Sequence, residues 1–317
     1  MRLLRLGFAF GLFAVMAACG TDATPSSGAP SSGSPSSGSP STDAPAATAP
    51  ASLMVEPATT PATAEPPLAS TTDAVPTLTD VKVYFLRGER LAIAHREVPG
   101  PATLRGALTE LLAGPTSGEL EAGLHSEIPA GTGLLDLKLA DGLATVDLSD
   151  DYEEGGGTLS MTARIAQVVF TATQFENSDQ VLFWVEGQPI EFFGGEGIVL
   201  DQPVARMDVD RAFTGGIIID TPLPGTVVTS PITVTGEGDV FEADFPIVVR
   251  RDGVQIAGPV LGFAGAWGQW AEFEVMLTVD VDPGPIEVVA WDGQGCTPGD
   301  PGCSPVIETV VPLLLAE

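Results

Sequence analysis

The sequence predicts an α+β sandwich, a mixed sheet carrying two helices, followed by an all-β sandwich, with a disordered N-terminal tail. Three observations carry this. Between residues 78 and 212 the apolar periodicity runs strand, strand, helix, strand, strand, helix, strand, the order of an α+β layer structure. From Ile217 onward it changes to short runs separated by Gly and Pro, at the roughly ten-residue spacing of β-sandwich strands. Before residue 78, Ser, Gly, Pro, Thr and Ala dominate with no apolar period. Such a composition cannot bury enough surface to offset its ordering entropy.

At the N-terminus, Arg2 and Arg5 precede an apolar run from Leu6 to Ala18 that ends at Cys19. The run is short for a membrane span and fits a secretory signal, so residues 1–18 are expected to be a signal peptide. Val15-Met16-Ala17-Ala18-Cys19 resembles a bacterial lipobox, with Met16 where Leu is more usual. That resemblance implies lipidation of Cys19; the alternative is a plain secretory signal with a chance cysteine. Two acyl chains suffice for stable anchoring. Residues 19–77, with the near-repeat SSGAPSSGSPSSGSP, are expected to form a flexible tether, about 45 Å in root-mean-square length.

Charge narrows the partners. Thirteen Lys plus Arg against 42 Asp plus Glu give a net charge of -29, which opposes nucleic-acid phosphates. Anionic headgroups repel the chain for the same reason, so attachment to a membrane requires a lipid anchor rather than a basic patch.

Within residues 78–212, Val81 to Leu86 and Leu91 to Val98 read as strands joined across Arg87-Gly88-Glu89-Arg90, a Gly-containing turn. Leu104, Ala107, Leu108, Leu111 and Leu112 then form a helical apolar stripe. Gly114 and Pro115 end it, and a polar turn follows. Leu134 to Leu139 and Leu143 to Leu148 flank Asp141-Gly142, a strong hairpin signal. A second helix is expected over Thr158 to Phe175, with Leu159, Ala163, Ala166, Val169, Phe170 and Thr173 on one face. Val181 to Val185 closes the sheet and Glu186-Gly187 turns it; both helices should lie on one sheet face. Phe192, Phe193, Ile198, Leu200 and Val204 are expected to pack against that sheet.

Val83, Tyr84 and Phe85, Arg96, Leu111 to Thr116, Ile128 to Thr132, Val146 to Ser149 and Gln167 to Gln174 together resemble the GerMN domain, named from sporulation and germination proteins. The resemblance implies an extracytoplasmic assembly module and names no reaction.

Several residues invite a sharper chemistry. His95 and His125 are the only histidines, and with Ser126 and Asp147 they form a triad on paper. No nucleophile elbow or helical metal pair supports one; His95, beside Arg96 and Glu97, reads as a solvated imidazole. Asp147, Asp150, Asp151, Glu153 and Glu154 place five carboxylates within eight residues before Gly155-Gly156-Gly157. Their order departs from the calcium-binding EF-hand loop, and the preferred reading is a helix cap by Ser149 or Thr158 with acids at the positive helix end. The glycines also leave Asp150, Asp151, Glu153 and Glu154 as a candidate contact loop. No metal or cofactor is expected.

Residues 213–317 offer the runs IIIDT, VVTS, ITVTGEG, PIVVRRDG, FEVMLTV, IEVVAWD and VIETVVPLLL. Pro222 to Gly225, Ser230-Pro231-Ile232, Gly236 to Gly238 and Phe241-Glu242-Ala243 resemble the immunoglobulin-like domain of bacterial spore germination, which commonly follows a GerMN domain. Cys296 and Cys303 bracket TPGDPG; in an exported chain a disulfide between them is favoured over free thiols or zinc. Phe263, Trp267 and Trp270 occupy GFAGAWGQW. Exposed, these rings could stack on sugars; buried, they fill the core. At least one should be buried. Three residues apart on a strand, Trp267 and Trp270 would point to opposite faces.

The expected function is therefore a non-catalytic surface lipoprotein, held to the membrane through Cys19 and facing the extracytoplasmic side, that docks on a protein partner in the envelope. A peptidoglycan or glycan binder is the alternative, and a cell-wall hydrolase ranks last because no acid, base or metal set is legible.

Overall fold

Strand β1 (Leu78–Arg87) pairs antiparallel with β2 (Arg90–Pro99) around a turn in which Gly88 has φ 61°. The computed structural model describes residues 77–195, 197–293 and 307–317. The expected signal peptide, residues 19–76 of the expected tether, and with them Cys19, as well as Cys296 and Cys303, lie outside the described residues.

Helix α1 (Thr103–Ala113) buries Leu104, Ala107, Leu108 and Leu111 of the stripe that its periodicity predicts, and Leu112 is partly buried. It ends at Gly114, whose φ of 81° and ψ of 178° lie in a region essentially open only to glycine. The polar turn expected next is instead a short helix, α2 (Ser117–Glu121). Thr116 Oγ1 accepts from the Glu119 N–H at 3.4 Å, and the Thr116 N–H donates to Glu119 Oε2 at 2.8 Å. The T-x-x-E spacing that makes this capping box is visible in the sequence and went unread. Arg96 of β2 grips Glu119 with two bonds of 2.6 and 2.7 Å, and β3 (Leu124–His125) then adds to the other edge of β1.

Strands β4 (Leu134–Ala140) and β5 (Gly142–Leu148) form the Asp-Gly hairpin, with Asp141 and Gly142 both at positive φ. After α3 (Thr158–Ala172), β6 (Ser178–Val185) pairs parallel with β5, so α3 is the crossover that parallel pairing requires. Four two-residue strands complete this part: β7 (Gln188–Pro189), β8 (Phe192–Phe193), β9 (Ile198–Val199) and β10 (Val204–Ala205). β7 and β10 pair with β6, and β8 pairs with β9.

The longer strands divide into two sheets, β2-β1-β3 and β10-β6-β5-β4, with β8-β9 a separate two-stranded sheet, where one mixed sheet was expected. Helix α3 packs on β1 of the first and β6 of the second. Residues 163–172 are all buried, so beyond its first turn the helix has no solvent face, unlike the one-sided helix read from the pattern. Leu159, assigned to the buried face, is exposed in its first turn.

Polar residues on this enclosed helix complete the backbone bonding of β1. The Tyr84 N–H donates to Thr171 Oγ1 at 3.1 Å, and Gln167 Nε2 donates to the Tyr84 carbonyl at 3.2 Å. Gln174 takes the Lys82 N–H at 2.8 Å and donates to the Lys82 carbonyl at 2.6 Å. Gln167 and Thr171 share one face of α3 by their spacing, and Gln174 continues that line just past the helix end. Along it they satisfy backbone groups that would otherwise be buried without partners.

The all-β part contains β11 (Ile217–Thr221), β12 (Val227–Val228), β13 (Ile232–Val240), β14 (Asp244–Arg251), β15 (Val254–Phe263), β16 (Gly265–Ala266), β17 (Ala271–Leu277), β18 (Gly284–Trp291) and β19 (Glu308–Leu315). One sheet joins β11, β13 and β17, with β16 at the end of β13; the other runs β12-β19-β18-β14-β15. Alternate residues of β17, Phe273, Val275 and Leu277, enter a core with Phe245, Ile247, Val249, Val288 and Leu313. β15 was not among the expected strands. Its Gly258, Pro259 and Gly262 obscure the apolar run, and it lies at a sheet edge, where proline is tolerated.

Candidate functional site

The α+β part and the β-sandwich meet along β1, β2, α3 and the linker on one side and β11, β13 and β17 on the other. Tyr84 and Glu237 lie at the centre of this seam. The Tyr84 hydroxyl donates to Glu237 Oε1 at 2.6 Å, and Arg206 Nη1 donates to Glu237 Oε2 at 3.0 Å. Arg206 sits in a one-turn 3-10 helix (Arg206–Asp208) that follows β10. Its other donors reach Thr173 Oγ1 at 2.9 Å and the Phe170 carbonyl at 3.0 Å, and its guanidinium lies 4.6 Å from the Phe170 ring centroid.

The Glu237 and Arg206 side chains are only 6% and 11% exposed. A buried charge pair persists only when its remaining hydrogen-bonding groups are satisfied, and here they are. Burial, joined by the Glu237 charge, pushes the Tyr84 hydroxyl well above its ordinary pKa, so it stays a donor. Burial disfavours the Arg206 charge, but Tyr84 and Glu237 outweigh it and hold the guanidinium above its usual value.

Around this centre the seam carries further cross-links. Lys82 Nζ donates to Glu272 Oε1 at 2.6 Å, and this contact lowers the Glu272 pKa. Arg90 donates through Nη1 to the Glu308 carbonyl. His95 is exposed, as expected, but not free: Nδ1 is 2.8 Å from Asp80 and Nε2 is 2.8 Å from Asp220 of β11. Partial burial works against protonation of His95, but the two carboxylates prevail and raise its pKa.

The two tryptophans part company here. Trp270 packs edge-on against Phe170 of α3, with ring centroids 5.0 Å apart, and is partly buried in the seam. Trp267 stays 56% exposed. They do not share a strand; β16 ends at Ala266 and a turn separates them. The Asp239 carboxylate, raised in pKa by its burial, accepts from the Gly268 N–H at 2.8 Å and holds this turn. Arg211 Nη2 donates to Asp292 at 2.9 Å, while its guanidinium covers one face of the Trp267 ring at 5.0 Å. Phe241 meets the same ring edge-on at 6.0 Å.

A cleft of about 870 Å³ opens along the seam between Glu176 and Asp179 on one wall and Trp270 and Glu272 on the other, with Arg206 and Glu237 in its lining. A smaller one of about 500 Å³ lies beside it, lined by His95, Asp220 and Glu274. Asp80, Lys82 and Glu272 border both.

The paper triad is not assembled. His125 lies 3.8 Å from Glu127, and Ser126 Oγ accepts from Ile128 N–H and Gln167 Nε2. Asp147 accepts from Gly187 N–H at 3.0 Å. Asp150, Asp151 and Glu153 form a one-turn 3-10 helix around Tyr152, which is buried against Phe193 and Phe183. Arg164 fastens this loop by donating to the Tyr152 and Gly155 carbonyls. Neither expected cap forms: the Ser149 hydroxyl makes no capping bond, and Gly157 holds the N-cap position of α3. Asp150 and Glu154 face solvent. Among the described residues no group of three His, Cys, Asp or Glu could hold a metal ion.

Residues 82–191 match the model of the Germane domain, described as sporulation and spore germination, and residues 216–295 match Gmad2, the immunoglobulin-like domain of bacterial spore germination. The chain joins a Germane domain to a Gmad2 domain. Among solved structures, the first GerMN domain of the sporulation protein GerM from Bacillus subtilis is 21% identical with a TM-score of 0.34; the match covers 41% of this chain and 99% of that one. The tandem GerMN domains of the same protein are 14% identical with a TM-score of 0.37, covering 64% of this chain and 62% of that one. No curated protein matches the chain.

In these terms the seam joins Germane to Gmad2. Its polar centre went unread because Glu237 and Arg206 stand alone in the sequence, 31 residues apart. One signal was available: Glu237 interrupts the Gly-flanked apolar run ITVTGEGDV, and a charge there requires a partner.

Proposed function

We propose that the chain is a non-catalytic surface lipoprotein, anchored through Cys19 and facing the extracytoplasmic side, whose Germane–Gmad2 unit docks on a protein partner in the envelope. The observation that supports this reading is the exposed aromatic rim of Gmad2. Phe241, Phe263 and Trp267 are 54%, 68% and 56% exposed, and the Phe241 and Trp267 rings touch. Large apolar side chains clustered in solvent are a usual mark of an interaction site, and Trp is among the residues that dominate such contacts. The seam, by contrast, uses its charged groups on one another, an arrangement suited to holding two domains rather than to turning over a substrate.

A photo-crosslinker at Phe263 tests the reading in cells. A single envelope protein captured by the native chain, and lost with Trp267→Ala, is the expected result. Crosslinks confined to cytoplasmic proteins would sink it. Cys19→Ala should release the chain from the membrane fraction; retention there counts against the anchor.

A wall-glycan reading has one specific observation in its favour. Trp267 is 56% exposed, which leaves ring surface on which a sugar can stack. Co-sedimentation with purified sacculi, abolished by Trp267→Ala, would select it over the protein partner.

A further inference from the structure

The seam cleft is separate in its chemistry from the aromatic rim. Four carboxylates stand in its lining besides Glu237: Asp80, Glu176, Asp179 and Glu272. Glu237 and Arg206 neutralise each other at 3.0 Å, and Lys82 is engaged by Glu272 at 2.6 Å. Glu176 and Asp179 are exposed and have no ion-pair partner among the described residues. The net field of the cleft is therefore negative, and a concave wall concentrates it.

A second observation is independent of charge. Ser178 lines the cleft and is 1% exposed, and its hydroxyl has no hydrogen-bond partner among the described residues. Trp270 lines it too, and its buried Nε1–H is also without a partner. Buried polar groups in native proteins are nearly always bonded, so two orphans bordering one cleft mark a place where an acceptor is missing. An indole N–H can only donate and a hydroxyl can do either; both fit a carbonyl oxygen. Phe175 and Trp270 add apolar surface beside them.

We infer that this cleft binds an extended basic peptide segment of a partner protein. Lys or Arg side chains of the segment meet Glu176 and Asp179, and the wall yields enough for its backbone carbonyls to reach the Trp270 and Ser178 donors, which are covered in the unliganded cleft. The volume, about 870 Å³, lies within the roughly 300–1,000 Å³ range of binding pockets. Anionic ligands are repelled. A polyamine supplies the charge but no carbonyl acceptor, which separates it from a peptide.

The experiment titrates the intact chain with a fluorescent, end-blocked peptide of alternating lysine and alanine at near-physiological salt, where diffuse attraction is screened beyond about 8 Å. Three variants are compared: Glu176→Gln with Asp179→Asn, Asp150→Asn with Glu154→Gln, and Trp267→Ala. Each double variant removes the same charge from exposed positions. The proposal expects the Glu176/Asp179 pair to weaken binding about tenfold, the sum of two exposed ion pairs in the upper half of their range. The Asp150/Glu154 pair and Trp267→Ala should leave it nearly unchanged. Equal weakening by both double variants would show general attraction to an acidic protein and overturn the site. Absence of peptide binding, or spermine binding as tightly as the peptide, would overturn it as well. None of these results bears on the rim, which the Phe263 crosslink tests separately.

Discussion

Glu237→Gln is the perturbation that tests the seam most directly. The glutamate accepts from Tyr84 at 2.6 Å and from Arg206 at 3.0 Å, with its side chain 6% exposed. Glutamine keeps the shape and one acceptor oxygen but removes the charge, leaving Arg206 buried without its counter-ion. Breaking a buried pair costs about 3–5 kcal/mol. The retained acceptor and the Phe170 and Thr173 contacts of Arg206 reduce this to about 2–4 kcal/mol, since a hydrogen bond to a charged group contributes about 1.5–3 kcal/mol. At about 2–4 °C per kcal/mol for a unit of this size, the melting temperature should fall by about 5–15 °C. Tyr84→Phe removes one bond and should cost about 1–2 kcal/mol. Because Tyr84 and Glu237 share that bond, a double-mutant cycle followed by urea unfolding should give a coupling of about 0.5–3 kcal/mol. Additivity within about 0.3 kcal/mol, or a Glu237→Gln cost below about 0.5 kcal/mol, would refute the claim that this network holds the two domains together.

Three other predictions follow from single features. The folded-state pKa of His95 is raised above its unfolded value, so its contribution is fully present below about pH 6.5 and is lost as pH rises through the higher folded value. Because the ring is partly exposed, the contribution should be under about 1 kcal/mol. Stability of the native chain minus that of His95→Gln, measured from pH 5 to 9, should decline with pH; a flat difference removes the clamp. Gly114→Ala places a side chain in a backbone region essentially reserved for glycine and should cost about 1–3 kcal/mol by urea unfolding, whereas Gly118→Ala inside α2 should be neutral or slightly stabilising. Trp270→Ala should cost about 3 kcal/mol or more and Trp267→Ala within about 1 kcal/mol; equal costs would contradict the assignment of one ring to the seam and the other to solvent.

Much of the fold was legible because it is encoded locally. The Asp141-Gly142 turn requires two residues that tolerate positive φ, and the sequence supplies them. The stripe of α1 and the alternation in β17 report one-sided burial through their periods. These patterns also predicted one α+β and one all-β part. The misses have equally physical causes. Helix α3 lies between two sheets, so burial all round erased the one-sided stripe, and its Gln and Thr residues were retained to bond β1 rather than water. Edge strand β15 carries Gly and Pro that a sheet edge permits.

The site was less legible than the fold. The aromatic stretch was singled out, but which ring would be buried depended on Phe170, about a hundred residues earlier in the chain. His95 looked solvated because its second carboxylate partner, Asp220, is 125 residues away. By itself the sequence determined the periods, turns and caps, since each depends on neighbours a few residues apart. Only the tertiary structure decided that Tyr84, Arg206 and Glu237 share one buried network and that Glu176, Asp179 and Trp270 border one cleft, because these contacts form only when the two domains close together.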